Sequence, residues 1–135
     1  MVLLYPARFI PFEDSEDGYT VEIPDLPGCV TQGNNLANAV KMAVDAASGW
    51  VLDELEDGRP APAATSLSLI PSEIPGEIIS LIYLDMDAYA EKYGEKAVRK
   101  NLTIPAWLAA MADKANLNYS ATLQKALMSE LGVRS

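Results

Sequence analysis

The chain has 135 residues, half of them hydrophobic, and a formal net charge of −9 from 19 Asp and Glu against 10 Lys and Arg. This composition supports a packed core and excludes a globally disordered chain. A single cysteine excludes an internal disulfide, and the lack of histidine excludes His-based nucleophiles, acid–base pairs and metal sites. The longest strongly apolar run, IISLIYL, is far shorter than the roughly 20 residues of a bilayer span, so no membrane segment is predicted. The single cysteine predicts a cytoplasmic protein.

Charge is divided unevenly along the chain. Residues 1–94 hold 4 Lys and Arg and 16 Asp and Glu, a net charge of −12. Residues 95–135 hold 6 Lys and Arg and 3 Asp and Glu, a net charge of +3. The split predicts an acidic body and a small basic module that can approach a polyanion. The alternative is that both are simply solvated surfaces.

The chain begins with a pattern typical of strands. Residues 2–12 and 19–23 predict a hairpin around the polar turn EDSEDG, and residues 29–32 predict a short extended piece between proline and glycine turns. Residues 77–86 predict a further strand, and its nearly continuous apolar run favours a central position in the sheet.

Between these strands the spacing becomes helical. Asn34 or Asn35 is expected to cap a helix that ends near residues 57 and 58. Its predicted apolar stripe consists of Leu36, Val40, Ala43, Val44, Ala47, Trp50, Val51 and Leu55. The order of elements predicts an α+β fold, in which an antiparallel-type sheet is covered by one long helix.

Residues 87–96 are polar and turn-like, so we predict two domains, 1–90 and 91–135. In the second domain, VRKNLTIP at 98–105 predicts a strand that runs into a helix at Pro105. Alternation along this strand sends Arg99, Asn101 and Thr103 to one face and Leu102 and Ile104 to the other.

Two short helices are predicted to follow this strand. The first is expected to bury Leu108, Met111, Ala112 and Ala115. The second is expected to be capped by Ser120, to end before Gly132, and to bury Leu123, Leu127 and Leu131.

A module of about 40 residues is near the lower limit for independent folding. Its single strand would have unpaired edges, and its helices carry more apolar surface than they can bury on each other. An intertwined homodimer, in which the two strands pair antiparallel and four helices share one core, solves both problems.

A two-stranded ribbon fits the major groove of DNA. Arginine can bind guanine in bidentate fashion, asparagine can do the same with adenine, and threonine offers a hydroxyl and a methyl group. Arg99, Asn101 and Thr103 are therefore predicted to contact bases. Ser120 and Ala121, at the start of the second helix, are predicted to contact phosphate through free N–H groups.

The segment RKNLTIPAWLAAMADKANLNYSATLQKALMSELG resembles a ribbon–helix–helix repressor domain. The resemblance places Arg99, Asn101 and Thr103 on the family's base-contacting positions and Ser120 at the start of its second helix. Two positions depart from the family pattern. Asn116 stands where the turn often has glycine, and Lys100 stands where an aliphatic residue is usual.

The segment DGYTVEIPDLPGCVTQGNNLANAVKMAVDAASGW resembles the HicB-type antitoxin domain. This resemblance implies a partial ribonuclease H-like fold, a HicA-type mRNA-cleaving toxin as partner, and further pairing through the N-terminal domains into a tetramer. Together the two resemblances predict an antitoxin of a type II toxin–antitoxin system. It would neutralise the toxin and repress its own operon by binding double-stranded operator DNA.

Two other functions are open on the sequence. One is a DNA-binding regulator whose N-terminal domain only oligomerises or senses a ligand. The other is a degenerate nuclease, for which the carboxylates are poorly placed: Glu13, Asp14, Glu16 and Asp17 lie in the hairpin turn, and Asp45, Asp53 and Glu54 lie on the helix without a strand partner. No catalysis, metal or cofactor is predicted, and Cys29 is expected to be a small buried hydrophobe.

Overall fold

The computed structural model describes residues 1–14, 17–94 and 96–133. These residues form two compact units, one of them Val2–Gly94 and the other the basic tail, described from Lys96 to Val133. The first unit contains β1 (Val2–Pro11), β2 (Tyr19–Glu22), β3 (Val30–Gly33), α1 (Leu36–Glu56), β4 (Ile78–Asp85) and α2 (Met86–Tyr93), and the tail contains α3 (Ala106–Lys114) and α4 (Tyr119–Leu131).

The four strands form one antiparallel sheet in the order β3-β2-β1-β4, with α1 packed on one face. The predicted α+β fold and the hairpin are thereby confirmed. Phe9 pairs with Val21 across the hairpin, and Tyr5 pairs with Ile82 of β4. These four side chains are almost completely buried and form the centre of the core. Ser15 and Glu16 of the predicted turn lie outside the described residues.

Helix α1 begins in close contact with the end of β3. The Asn35 side chain caps it by accepting a hydrogen bond from the Asn38 N–H at 2.8 Å, and the helix ends at the Asp57 cap, as predicted. A Cβ atom on Gly33 would lie only 2.3 Å from the Ala39 nitrogen, so the contact admits only small side chains.

The buried stripe of α1 accordingly differs in part from the predicted one. Its fully buried members are mostly alanines four residues apart: Ala39, Ala43, Ala47 and Val51. The prediction is wrong for Leu36 and Val40, which are both 40% exposed. These two side chains lie outside the row of buried residues that packs on the sheet.

Strand β4 lies at the edge of the sheet, so the predicted central position is wrong. Its apolar run covers both faces, but only the face beneath the helices is buried, at Ile82 and Leu84. On the opposite face, Leu81 is 44% and Tyr83 is 58% exposed. The continuous hydrophobicity of β4 therefore reflects an uncovered apolar surface rather than burial on two sides.

The turn predicted over residues 87–96 is wrong for most of its length, because α2 occupies Met86–Tyr93. The Asp85 side chain caps this helix by accepting from the Ala88 N–H at 3.1 Å, and Met86 anchors it in the core. The segment has no glycine or proline before Gly94, so a capped helix can form despite its polar composition. The predicted boundary between residues 90 and 91 falls inside α2.

The connection between α1 and β4 is fixed to the sheet by polar contacts. The Tyr5 hydroxyl donates to the Pro62 carbonyl at 2.6 Å, and the Asp25 carboxylate accepts from the Thr65 hydroxyl at 2.6 Å. Arg8 on β1 donates to Glu77 at 2.8 Å, and the Glu77 side chain is fully buried. This ion pair holds the end of the connection where β4 begins.

We expect acid to weaken this anchor. The hydrogen bond from Arg8 lowers the pKa of Glu77 below its ordinary value of 4.5. The pair therefore stabilises the fold fully above about pH 4.5, and this stabilisation is lost as the pH falls through the lowered pKa. Urea midpoints measured from pH 6 down to pH 3 should fall less steeply for Glu77→Gln than for the parent chain. Equal slopes would contradict the contribution of Glu77.

Candidate functional site

The polar triplet of the tail is fully accessible. Arg99, Asn101 and Thr103 are exposed, and residues 96–104 form neither a helix nor a paired strand. The predicted strand over 98–104 is therefore absent from the single chain. A strand is defined by hydrogen bonds to a neighbouring strand, and this copy of the tail provides none within its described residues.

The start of α4 differs from the prediction. Asn118, not Ser120, is the cap, and its Oδ1 atom accepts from the Ala121 N–H at 3.0 Å. Asn118 has the same capping chemistry as Ser120 but precedes it by two residues. Because the Ala121 N–H is already paired, the N–H groups left for a phosphate at this end are those of Tyr119 and Ser120.

The turns around the tail helices follow the sequence expectations. Asn116 has a φ of 54°, so it adopts the left-handed conformation in the turn between α3 and α4. Gly132 ends α4 with a φ of 66°. The Tyr119 hydroxyl donates to the Asp113 carboxylate and ties the start of α4 to α3.

The tail helices bury almost none of their apolar side chains. None of the described tail residues is buried, and of the seven predicted core residues only Ala112 and Leu123 are even half-buried. Leu108, Met111 and Leu131 are 42%, 62% and 72% exposed, and Ala115 and Leu127 are exposed as well. One copy therefore leaves these side chains uncovered, because two short helices cannot enclose a core alone, and their burial in a core shared by two copies stays a prediction.

These apolar side chains surround a groove of about 620 Å³. The segment before α3 contributes Leu102 and Ile104, and both helices supply the rest of the lining, including Leu108, Leu117 and Leu123. Leu102 and Ile104 thus line the groove, whereas Arg99, Asn101 and Thr103 are accessible. The alternation of polar and apolar residues along this segment predicts the same division into two faces. Lys100 also lines the groove.

A second concave surface lies in the first unit, between α1, α2 and the loop before β3. It holds about 540 Å³ and combines carboxylates with aromatic rings, its lining including Asp45, Asp53, Glu56, Trp50, Tyr89 and Tyr93. We call it the acidic groove. The Trp50 indole is fixed by donating to the Pro27 carbonyl at 3.0 Å. Burial, the Asp45 carboxylate, Tyr93 and Asp53 all raise the pKa of Tyr89, so its hydroxyl is neutral at physiological pH.

Sequence reasoning missed the aromatic side of this groove. Tyr89 and Tyr93 are four residues apart on α2, with ring centroids 4.6 Å apart. A spacing of four residues favours a helix, but the polar residues around the two tyrosines favoured the prediction of a turn.

Cys29 carries the single thiol of the chain. Cys29 is buried at 6% exposure, as expected, and burial raises the pKa of its thiol. Among the described residues, no three His, Cys, Asp or Glu side chains lie close enough together to hold a metal ion. No helix in the described part of the chain is long and apolar enough to span a membrane.

Comparison with protein families finds one model that covers most of the chain. Residues 5–129 match the HicB-like antitoxin of bacterial toxin–antitoxin systems. A 14.9 kDa protein from the rep-hol intergenic region of Haemophilus phage HP1 is 31% identical over 114 residues, which cover 83% of this chain and 80% of the phage protein. Antitoxin HicB 1 of Photorhabdus laumondii is 31% identical over 81 residues, covering 57% of this chain and 51% of that protein.

Solved structures show the same fold. A chain of a toxin–antitoxin complex from Streptococcus pneumoniae superimposes with a TM-score of 0.63 at 24% identity, covering 96% of this chain and 99% of that one. The antitoxin HicB of Burkholderia pseudomallei superimposes with a TM-score of 0.55 at 22% identity, covering 96% and 98%.

Proposed function

Because this chain belongs to the HicB-like antitoxin family, we propose that it is the antitoxin of a type II pair and neutralises a HicA-type mRNA-cleaving toxin. We further propose that it represses its own operon by binding operator DNA through a tail homodimer, as a cytoplasmic protein without enzymatic activity. One observation carries the proposal of DNA binding. In the tail, the exposed triplet Arg99, Asn101 and Thr103 lies beside an apolar groove that a single copy leaves open.

Charge supports the first part of the proposal. A toxin that cleaves mRNA must bind a polyanion, so its active surface is expected to be basic. Residues 1–94 carry a net charge of −12, which would accelerate the encounter with such a surface and compete with RNA for it. The acidic groove combines that charge with a concave shape, and its three aromatic rings suit cationic side chains. We therefore assign toxin docking to this groove.

A fragment of residues 1–94 should co-purify with the toxin encoded beside the gene and restore growth to cells that express it. In this fragment, Asp45→Lys with Asp53→Lys should reduce toxin binding at least tenfold, because both substitutions reverse charge within the groove. The matched control is Glu13→Lys with Asp14→Lys, which changes the net charge equally at the hairpin turn and should have the smaller effect.

If both double variants lose the same amount of toxin binding, the toxin responds to the overall charge of the fragment and not to the acidic groove. Failure of the fragment to bind, with binding by the full chain, would assign the toxin to the tail. A full chain that binds its operator but not the toxin would be a regulator alone.

The tail supports the second part of the proposal. Antiparallel pairing of the 98–104 segments from two copies would supply the missing strand partner and seat Leu102 and Ile104 in a shared core. It would also place Arg99, Asn101 and Thr103 of both copies on the outer face of a ribbon that fits the major groove. The Tyr119 and Ser120 amides, at the positive end of α4, would then hold a phosphate.

A further inference from the structure

Negative charge is concentrated at the end of α1. The last turn of the helix holds no basic residue, and the helix end carries the carboxylates of Asp53, Glu54, Glu56 and Asp57. The backbone carbonyls at a helix C-terminus add a partial negative charge, so this end favours a cation. The carboxylates form two pairs of the same spacing, the first being Glu54 with Asp57 and the second Asp53 with Glu56. Residues three apart are neighbours on a helix, so each pair can offer two carboxylates to one ligand.

The chain itself supplies a cation to the first pair. The Nε atom of Arg59 donates to one oxygen of the Glu54 carboxylate at 2.8 Å, and its Nη2 atom donates to the other oxygen at 2.9 Å. The same Nη2 atom also donates to the Asp57 carboxylate at 3.2 Å. One guanidinium thus bridges two carboxylates three residues apart, because its planar fork of N–H groups matches their geometry.

The second pair has no such partner. Asp53 and Glu56 both line the acidic groove, and among the described residues no Lys or Arg forms an ion pair with either carboxylate. Glu56 is half-buried, so its side chain is partly withdrawn from water without gaining a cation in exchange. Two unpaired carboxylates at the negative end of a helix, inside a concave surface, favour a cation from another molecule.

An aromatic ring lies beside this second pair. Trp50 precedes Asp53 by three residues, so the two side chains are neighbours on the part of α1 that lines the groove. The indole N–H donates to the Pro27 carbonyl at 3.0 Å, which fixes the ring. A guanidinium stacks on aromatic faces, whereas an ammonium is more strongly hydrated and has no planar fork. Two neighbouring carboxylates beside a fixed indole therefore suit arginine better than lysine.

We propose that one arginine side chain of the toxin occupies this part of the acidic groove, where its guanidinium bridges Asp53 and Glu56 and stacks on Trp50. The toxin arginine would repeat, on the second pair, the contact that Arg59 makes with the first. This assignment rests on the toxin docking proposed above and names the side chain that the groove selects.

Asp53→Asn with Glu56→Gln in the full chain should weaken binding of the toxin encoded beside the gene at least tenfold, because neutral amides form no ion pair with the arginine. The urea midpoint of this variant should stay equal or rise, since two negative charges leave the negative end of α1. It therefore separates loss of the site from loss of the fold. The matched control is Glu13→Gln with Asp14→Asn, which makes the same two changes in the hairpin turn and should weaken binding less than threefold.

Substitutions in the toxin identify the partner side chain. Each arginine of the toxin is replaced in turn by lysine, which keeps the charge and removes the planar fork. One of these toxin variants should bind the parent chain at least tenfold more weakly. The same variant should bind Asp53→Asn with Glu56→Gln as well as the unaltered toxin does, because the two changes remove one shared contact and their effects do not add.

Several results would overturn the proposal. Equal weakening by the groove variant and the hairpin control would show a response to overall charge. A lower urea midpoint in the groove variant would mean that the two carboxylates are already paired within the chain. Additive losses for every arginine of the toxin would exclude arginine as the occupant and leave the proposed function standing. A parent chain that does not bind the toxin at all would contradict the proposed function as well.

Discussion

Replacing Arg99 by alanine is expected to weaken operator binding by about 1–3 kcal/mol, a loss of roughly fivefold to more than a hundredfold in affinity. Its guanidinium is exposed on the polar side of the 98–104 segment, and a bidentate contact with guanine loses both hydrogen bonds when the side chain is truncated. Discrimination at one base pair of each half-site should relax at the same time, because alanine reads no base edge.

Binding titrations on the promoter of the chain's own operon, repeated on a DNA panel with each base pair substituted, measure both effects. Lys114→Ala is the matched control, since it removes one positive charge from the same unit at the end of α3. It should change affinity only modestly and equally for every DNA sequence, as a loss of general electrostatic attraction does. Unchanged affinity in Arg99→Ala would remove this residue from the reading face.

The second large effect is expected at Ile104. A fragment of residues 95–135 should sediment as a dimer with helical circular dichroism. Ile104→Asp should abolish both, because it would bury two carboxylates in the shared core. Ile104 lines the apolar groove and is still 43% exposed in the single chain, so a second copy is what would complete its burial. In the full chain the same substitution should eliminate specific operator binding.

Asn101→Asp separates the effect of charge from that of position. It introduces the same carboxylate on the exposed polar side, so the fragment should remain a folded dimer while DNA binding weakens. A fragment that stays monomeric and folded without either substitution would contradict the shared-core argument. So would an Ile104→Asp fragment that still dimerises.

Local chemistry made much of the first unit predictable. The hairpin follows from alternation around a polar turn, and the limits of α1 follow from Asn35 at its start and Asp57 at its end. The exact buried face of α1 did not follow, because it depends on a helix–sheet distance that Gly33 and the alanines permit. A periodicity argument favours large apolar residues such as Val40, whereas the interface selects small ones.

The error at β4 has a simple physical cause. The apolar residues of this strand were assigned to burial on both faces of the sheet, but Leu81 and Tyr83 are exposed. Hydrophobicity indicates that a surface favours a partner and does not say which molecule supplies it. The helix over Met86–Tyr93 was missed for a different reason, since its signals are the Asp85 cap and a tyrosine pair rather than an apolar stripe.

The open core of the tail also bears on how repression would respond to antitoxin supply. If two copies must meet before the tail folds, the amount of binding-competent dimer rises with the square of the monomer concentration while dimers are rare. At low abundance, single tails would be the part of the chain that cellular proteases degrade first. A modest fall in synthesis would then release the promoter more than proportionally, and new transcription would replenish the protein.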